Sequence, residues 1–254
     1  WMPITVVLNK GNDNFVNATD QLGLLNTNGL WNTVLVDDIN SDGKIDILAG
    51  NSGSNFKWKP NKEKPVKIYL DDFDENLQLD PIIFYDFFGT YVPFASKDKL
   101  DKQLPYLKKK FPKYINFSNV NDIKSLTGKS EDKILETKSI YELRSTLFIN
   151  NGEKFIGKPL PKEAQFSSIE DFFFLKDDIA KLFYVGNFHH YVTELGISSA
   201  NPGGILSDWG AENFNVSRFL PLPMSINARK ILPIGKDNFF ILGNNDYIYI
   251  LSKN

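Results

Sequence analysis

The sequence predicts a mainly β chain of repeated antiparallel blades, a β-propeller present as a partial arc with a helical insertion. Three observations lead there. The first is composition: 21 Phe, 10 Tyr and 4 Trp accompany 17 Gly and 13 Pro, which favours many short strands joined by tight turns. The second is a recurring hairpin, an aliphatic strand, a Gly turn and a closing Phe, at Val7 to Phe15, Phe148 to Phe155 and Ile205 to Phe214. The third is a recurring apolar strand that ends in Gly-Asn, at Ile47 to Asn51, Phe183 to Asn187 and Ile241 to Asn244. A hairpin plus a buried strand, repeated, is the pattern of a propeller blade rather than of a sandwich.

Each element follows from local chemistry. In the hairpins the polar and Gly residues supply the turn, while the aliphatics and the Phe alternate onto one buried face. Four inner strands are expected, Ile45 to Gly50, Leu79 to Tyr85, Leu182 to Gly186 and Phe239 to Gly243. Their continuous apolar character suits strands covered on both sides. The chain opens Trp1-Met2-Pro3 ahead of the strand-like Ile4 to Leu8. That start reads as a piece of a longer protein, with an N-terminal remainder of the parent chain completing the arc.

Between Lys97 and Arg144 the strand pattern stops. Leu100, Leu104, Leu107 and Phe111 share one face of a helix, and Pro105 splits that helix in two. The expected organisation is therefore blades with acidic loops over 1–96, a helical insertion over 97–144 and blades without metal ligands over 145–254. The four apolar residues should be buried, leaving Lys102, Lys108, Lys109 and Lys113 outward.

Metal chemistry is suggested by Asp38, Asn40, Asp42 and Asp46, at positions 1, 3, 5 and 9 of a tight loop. The carbonyl of Lys44 adds a donor at position 7, and Gly43 permits the bend. Calcium takes six to eight such oxygens at about 2.3–2.6 Å. An EF-hand is excluded, because position 12 is Ala49 rather than Glu and a strand follows instead of a helix. A second copy follows 34 residues later: Asp72, Asp74, Asn76, the Gln78 carbonyl and Asp80. There Leu77 replaces the Gly, which disfavours a positive φ unless Asn76 absorbs the turn, so this site is expected to be the weaker. At the third position Phe173, Leu175 and Lys181 stand where ligands should be and only Asp177 remains; the fourth, around Lys236-Asp237-Asn238, is shortened. Both should keep the blade without an ion.

These loops resemble the FG-GAP or VCBS repeat family, whose blades carry the Asp-x-Asp/Asn-x-Asp-Gly-x-x-Asp calcium loop of integrin α-subunit propellers. Trp1 to Ile4, Gly29 to Asn32, Leu104 to Phe111, Ala164 to Phe166 and the closing Asn244 to Ile250 are similar to the C-terminal half of large VCBS-repeat proteins like cartilage acidic protein, common in Bacteroidota. The resemblance implies structural calcium and an extracellular or outer-membrane-surface location. Asp38, Asn40, Asp42 and Asp46 match its motif fully. Asp72, Asp74, Asn76 and Asp80 match it with the Gly lost.

Other classes are narrowed by composition. A net charge of −2 gives no general electrostatic reason to expect nucleic acid or an anionic membrane as partner. Zero cysteines remove disulfides, thiolate zinc sites and cysteine nucleophiles. Apolar runs stop well short of a membrane span. No nucleophile elbow, Walker loop or dinucleotide fingerprint occurs. The adjacent His189 and His190 point to opposite faces if they lie in a strand, which prevents shared chelation. The expected function is a non-enzymatic binding or assembly module for a protein or glycan at the cell surface. The alternative is a glycan-active enzyme, similar to polysaccharide lyases, with His189, Tyr191, Arg144 or Arg218 lining a cleft.

Overall fold

The computed structural model describes residues 1–176, 180–207, 215–235 and 238–252. It is mainly β, with 17 strands in several antiparallel sheets and four short α-helices. Two compact units share the chain. One holds residues 3–25, 29–57 and 143–254; the other holds 1–2, 26–28 and 58–142.

The larger unit begins with a two-stranded hairpin, β1 (Val7–Asn9) with β2 (Phe15–Asn17). Strands β3 (Thr33–Asp37) and β4 (Asp46–Gly50) follow. They belong to a four-stranded sheet whose order is β10-β9-β4-β3. Its outer pair, β9 (Thr146–Asn150) and β10 (Phe155–Pro159), returns only after the whole smaller unit has been traversed. The ends of that excursion meet, since Gly53 N donates to Leu143 O at 2.7 Å and Asn51 N to Ser145 Oγ at 2.9 Å.

A second meander runs in chain order, β11 (Ile169–Leu175), β12 (Lys181–Gly186), β13 (Gly203–Ser207) and β14 (Asn215–Phe219). The third has β15 (Ala228–Ile234), β16 (Asn238–Gly243) and β17 (Ile248–Ser252).

Strand β12 shows why its sequence is continuously apolar. Alternate side chains leave opposite faces of a strand, and both faces are covered. Leu182 and Tyr184 pack with Leu48, Leu147 and Leu206, while Phe183 and Val185 pack with Ile231, Phe239 and Ile241. The repeated Gly-Asn has an equally local cause. A Cβ on Gly50 would come within 2.7 Å of the Ile169 carbonyl, and one on Gly186 within 2.0 Å of the Ser168 carbonyl. The following Asn closes the corner: Asn187 Nδ2 donates to the carbonyls of Met224 and Ile226, and Asn51 Oδ1 accepts from the amides of Leu30 and Ser52.

The smaller unit pairs β5 (Val66–Asp71), β6 (Asp80–Phe87), β7 (Thr90–Pro93) and β8 (Glu136–Ile140) in the order β7-β6-β5-β8. Helices α1 (Lys97–Gln103), α2 (Leu107–Lys110), α3 (Tyr114–Phe117) and α4 (Ile123–Thr127) cover one face. Leu100, Leu104, Leu107 and Phe111 are buried against Tyr69, Ile82 and Phe84, each full Leu burial being worth about 1.5–3 kcal/mol. Lys102, Lys108, Lys109 and Lys113 are exposed. Pro105 divides α1 from α2.

The structure corrects one expectation. Residues 97–144 are not helical throughout and do not stand apart from a four-stranded sheet, because β8 lies within them and pairs with β5 from Val66↔Ile140 to Leu70↔Glu136. The helices and the second acidic loop share one unit, within its segment Trp58–Glu142. Pairing across so long a separation leaves no trace in local periodicity.

Candidate metal centre

Both acidic loops sit in β-hairpins of the same register. Asp37 faces Asp46 at the end of β3–β4, and Asp71 faces Asp80 at the end of β5–β6. From there most of the backbone bonding repeats, although Asp42 N also donates to Asn40 Oδ1 at 3.0 Å and Asp74 Oδ1 has no such bond. Asp38 Oδ1 and Oδ2 accept from the amides of Asp42 and Gly43 at 3.1 and 2.9 Å. Asp72 does the same for Asn76 and Leu77 at 3.0 and 2.8 Å. At position 9, Asp46 Oδ2 accepts from Ile39 N at 3.2 Å and Asp80 Oδ2 from Phe73 N at 3.3 Å. Position 5 closes the turn, with Asp42 Oδ1 bound by Lys44 N at 2.9 Å and Asn76 Oδ1 by Gln78 N at 2.8 Å.

Backbone conformation is copied as well. Ser41 and Gly43 have φ of 61° and 82°, and Glu75 and Leu77 have φ of 61° and 68°. Asn76 does not absorb the turn. Leu77 itself takes the left-handed conformation and stands 95% exposed, held there by the two Asp72 bonds.

The side chains then diverge. In the first loop Lys44 Nζ lies 3.2 Å from Asp42 Oδ2, and Asn40 Nδ2 donates to the same oxygen at 3.3 Å. The Lys44 amide and this ammonium hold the Asp42 carboxyl below its usual range. Asp46 is buried and also accepts from Asn150 N at 2.9 Å. Burial raises its pKa in spite of the amides that bond it.

In the second loop Asn76 and Gln78 carry no charge, and Asp72, Asp74 and Asp80 bring ligand oxygens within 4.8 Å of one another. Among the described residues no other three carboxylate or imidazole groups converge in this way. Asp74 Oδ1 is buried with no hydrogen-bond partner, an arrangement costly for a carboxylate oxygen unless something else satisfies it. Gln103 Nε2 approaches Asp80 Oδ1 at 3.4 Å from the end of α1. The Tyr106 hydroxyl, also buried without a partner, is pushed up to about 12 by burial and by the Asp80 and Asp74 carboxylates. All these donors are hard oxygens, the set that suits calcium or magnesium rather than a soft metal.

Sequence reasoning missed four contributors. Asp37 and Asp71 precede the loops, bond the amides of Asp38 and Asp72 at 2.8 and 2.9 Å, and pair with Lys176 and Lys129, each at 2.5 Å. The doubled Asp at 37–38 and 71–72 is the signal that could have found them. Gln103 and Tyr106 had no such signal, since only the fold brings the end of α1 and the start of α2 beside the second loop. At the third and fourth positions, Asp177, Lys236 and Asp237 lie outside the described residues, as do Trp209, Gly210 and Phe214 of the third hairpin.

The residues named for catalysis have separate surroundings. His190 Nε2 lies 2.9 Å from Asn244 Nδ2, and His189 Nε2 is buried without a partner. Tyr191 OH lies 2.7 Å from Ser52 Oγ and its ring packs on Phe56 and Phe188. Arg218 stands in β14 opposite Ile205, and Arg144 precedes β9. Comparison with family models, curated proteins and solved structures finds no match to this chain.

Proposed function

We propose that the chain is a calcium-stabilised segment of a β-propeller of the FG-GAP or VCBS type, acting at the cell surface as a non-enzymatic module that binds a protein or glycan. The observation that carries this reading is the convergence of Asp72, Asp74 and Asp80, in a loop whose backbone repeats that of Asp38 to Asp46. Asp72, Asp74, Asn76, Asp80 and the Gln78 carbonyl would hold one ion, and Asp38, Asn40, Asp42, Asp46 and the Lys44 carbonyl a second. The ion would supply positive charge that draws the carboxylates together and stiffens each hairpin. The second loop would bind more tightly than the first, because its carboxylates already converge and no ammonium competes. No helix among the described residues is long and apolar enough to cross a membrane.

Calorimetric titration tests this. Two calcium ions per chain are expected, with magnesium much weaker because it demands a smaller octahedral shell. Asp74→Ala should remove one ion. Absence of saturable calcium binding at millimolar concentration would refute the reading.

One observation favours the enzymatic alternative. Glu170 is held between Ser168 Oγ, at 2.7 Å, and Arg229, whose guanidinium lies 4.6 Å from the Phe188 ring centre. Burial raises the Glu170 pKa against both partners, a trait of general acids. Depolymerisation of an acidic polysaccharide that disappears in Glu170→Gln would favour the enzyme over the binding module.

A further inference from the structure

A cleft of about 150 Å³ opens where the second and third meanders face each other. Its floor is apolar, formed by Phe183, Ile205, Phe239 and Leu251, and Lys181 and Arg218 stand at its lining. Strand geometry explains how these side chains meet. Lys181 and Phe183 are two residues apart in β12 and so share a face. Phe183, Ile205 and Arg218 lie in register across β12, β13 and β14. Phe239 pairs with Leu251 across β16 and β17, and the Phe183 and Phe239 rings are 5.2 Å apart.

Arg218 reaches this face through a β-bulge. The pairing of β13 with β14 shifts between Ile205↔Arg218 and Leu206↔Val216. Without that extra residue Arg218 would share the face of Val216, which packs with Leu206 on the opposite side of the sheet. Bulges commonly re-aim a side chain in this manner.

Among the described residues neither the Lys181 ammonium nor the Arg218 guanidinium has a hydrogen bond or an ion pair. Lys176, Arg229 and Lys230 of the same unit each hold a carboxylate. A cleft of this volume has room for a benzene-sized body, and two cations in its lining, Lys181 and Arg218, favour an anionic head.

We propose that this cleft binds a small amphipathic carboxylate, its ring or short alkyl body against Phe183 and Phe239 and its carboxylate between Lys181 and Arg218. The site is separate from both acidic loops and does not depend on calcium.

Titration of the full chain with phenylacetate, followed by calorimetry and by the aromatic resonances of Phe183 and Phe239, tests the proposal. Saturable binding that shifts those resonances is expected. Lys181→Gln and Arg218→Gln should each weaken it about tenfold, as for loss of one charge-assisted bond. Thermal melts of the unliganded variants verify folding, which rim substitutions should leave intact. Two controls separate the contributions: 2-phenylethanol has the body without the charge, and acetate the charge without the body. Both should bind at least tenfold more weakly than phenylacetate. The proposal is overturned if 2-phenylethanol or acetate binds as well as phenylacetate, if the Lys181→Gln, Arg218→Gln double variant binds unchanged, or if no saturable binding occurs up to about 10 mM, weaker than any useful affinity.

Discussion

The loops Asp38 to Asp46 and Asp72 to Asp80 have nearly superimposable hydrogen-bond patterns yet present different electrostatics. In the first, Asn40, Asp42 and Lys44 engage one another. In the second, Asn76 and Gln78 occupy the matching places, so Asp74 is left without a partner and three carboxylates converge. The lesson is that positions 1, 5 and 9 fix the backbone of such a loop by bonding amides. Positions 3, 5 and 7 decide how much negative charge remains for a cation. The loop that matches the motif fully is therefore not the loop whose carboxylates converge.

The largest test separates the loops physically. Because Gly53 and Leu143 are joined by a 2.7 Å hydrogen bond, residues 54–142 can be excised and replaced by a short Gly-Ser linker. The β3–β4–β9–β10 sheet should survive, and calcium stoichiometry should fall from two to one. A product that is unfolded by circular dichroism would show that the larger unit depends on the smaller. A folded product that retains both ions would contradict the assignment of a site to the second loop.

Next in size is the difference between the two position-9 carboxylates. Asp46 binds amides from two distant stretches of chain, Ile39 and Asn150, whereas Asp80 binds one amide and a long contact from Gln103. Each buried amide left unpaired costs about 1–3 kcal/mol. In EDTA, Asp46→Ala should therefore lower stability by about 3 kcal/mol and Asp80→Ala by roughly half as much. Equal losses in denaturant titrations would mean that the Asn150 contact contributes little.

A smaller effect concerns affinity. Lys44→Gln removes the ammonium from Asp42 and should tighten calcium at the first loop about fivefold, and Gln78→Lys should weaken the second by a similar factor. Terbium luminescence, read in chains carrying one intact loop each, measures both. If neither affinity moves, the difference between the loops has another origin.

How much of this was legible varies with range. The alternation of apolar residues and the Gly-Asn corners located the hairpins and inner strands to within a residue or two, because burial on both faces of β12 demands continuous apolar side chains. The helix face Leu100, Leu104, Leu107, Phe111 was equally plain, since its period is local. What escaped was pairing at a distance. Nothing near Gly50 announces that its strand waits until Thr146 for its neighbour, and nothing near Glu136 announces β8. The acidic loops could be located from spacing, but which of them brings its carboxylates together depended on the placement of Lys44 and Asp74 and on the approach of Gln103, none of which spacing encodes.

The smallest test concerns position 6, where the loops differ in backbone cost alone. A Cβ added at Gly43 would meet nothing within 4 Å, and its φ is 82°. Gly43→Leu should thus be penalised only by the left-handed conformation, which costs an L-residue about 1–2 kcal/mol. Leu77, 95% exposed at φ 68°, already bears that cost, and its side chain gains almost no burial in return. Leu77→Gly should release it, offset by the greater entropy of Gly in the unfolded chain, for a net stabilisation of about 0.5–1 kcal/mol. Gly43→Leu should destabilise by a similar amount. Calcium affinity should rise modestly in Leu77→Gly, because the loop no longer strains to keep Asp72 at the amides of positions 5 and 6. If Leu77→Gly instead destabilises the chain, the exposed leucine is covered by something that binds it, and position 6 of the second loop belongs to an interface.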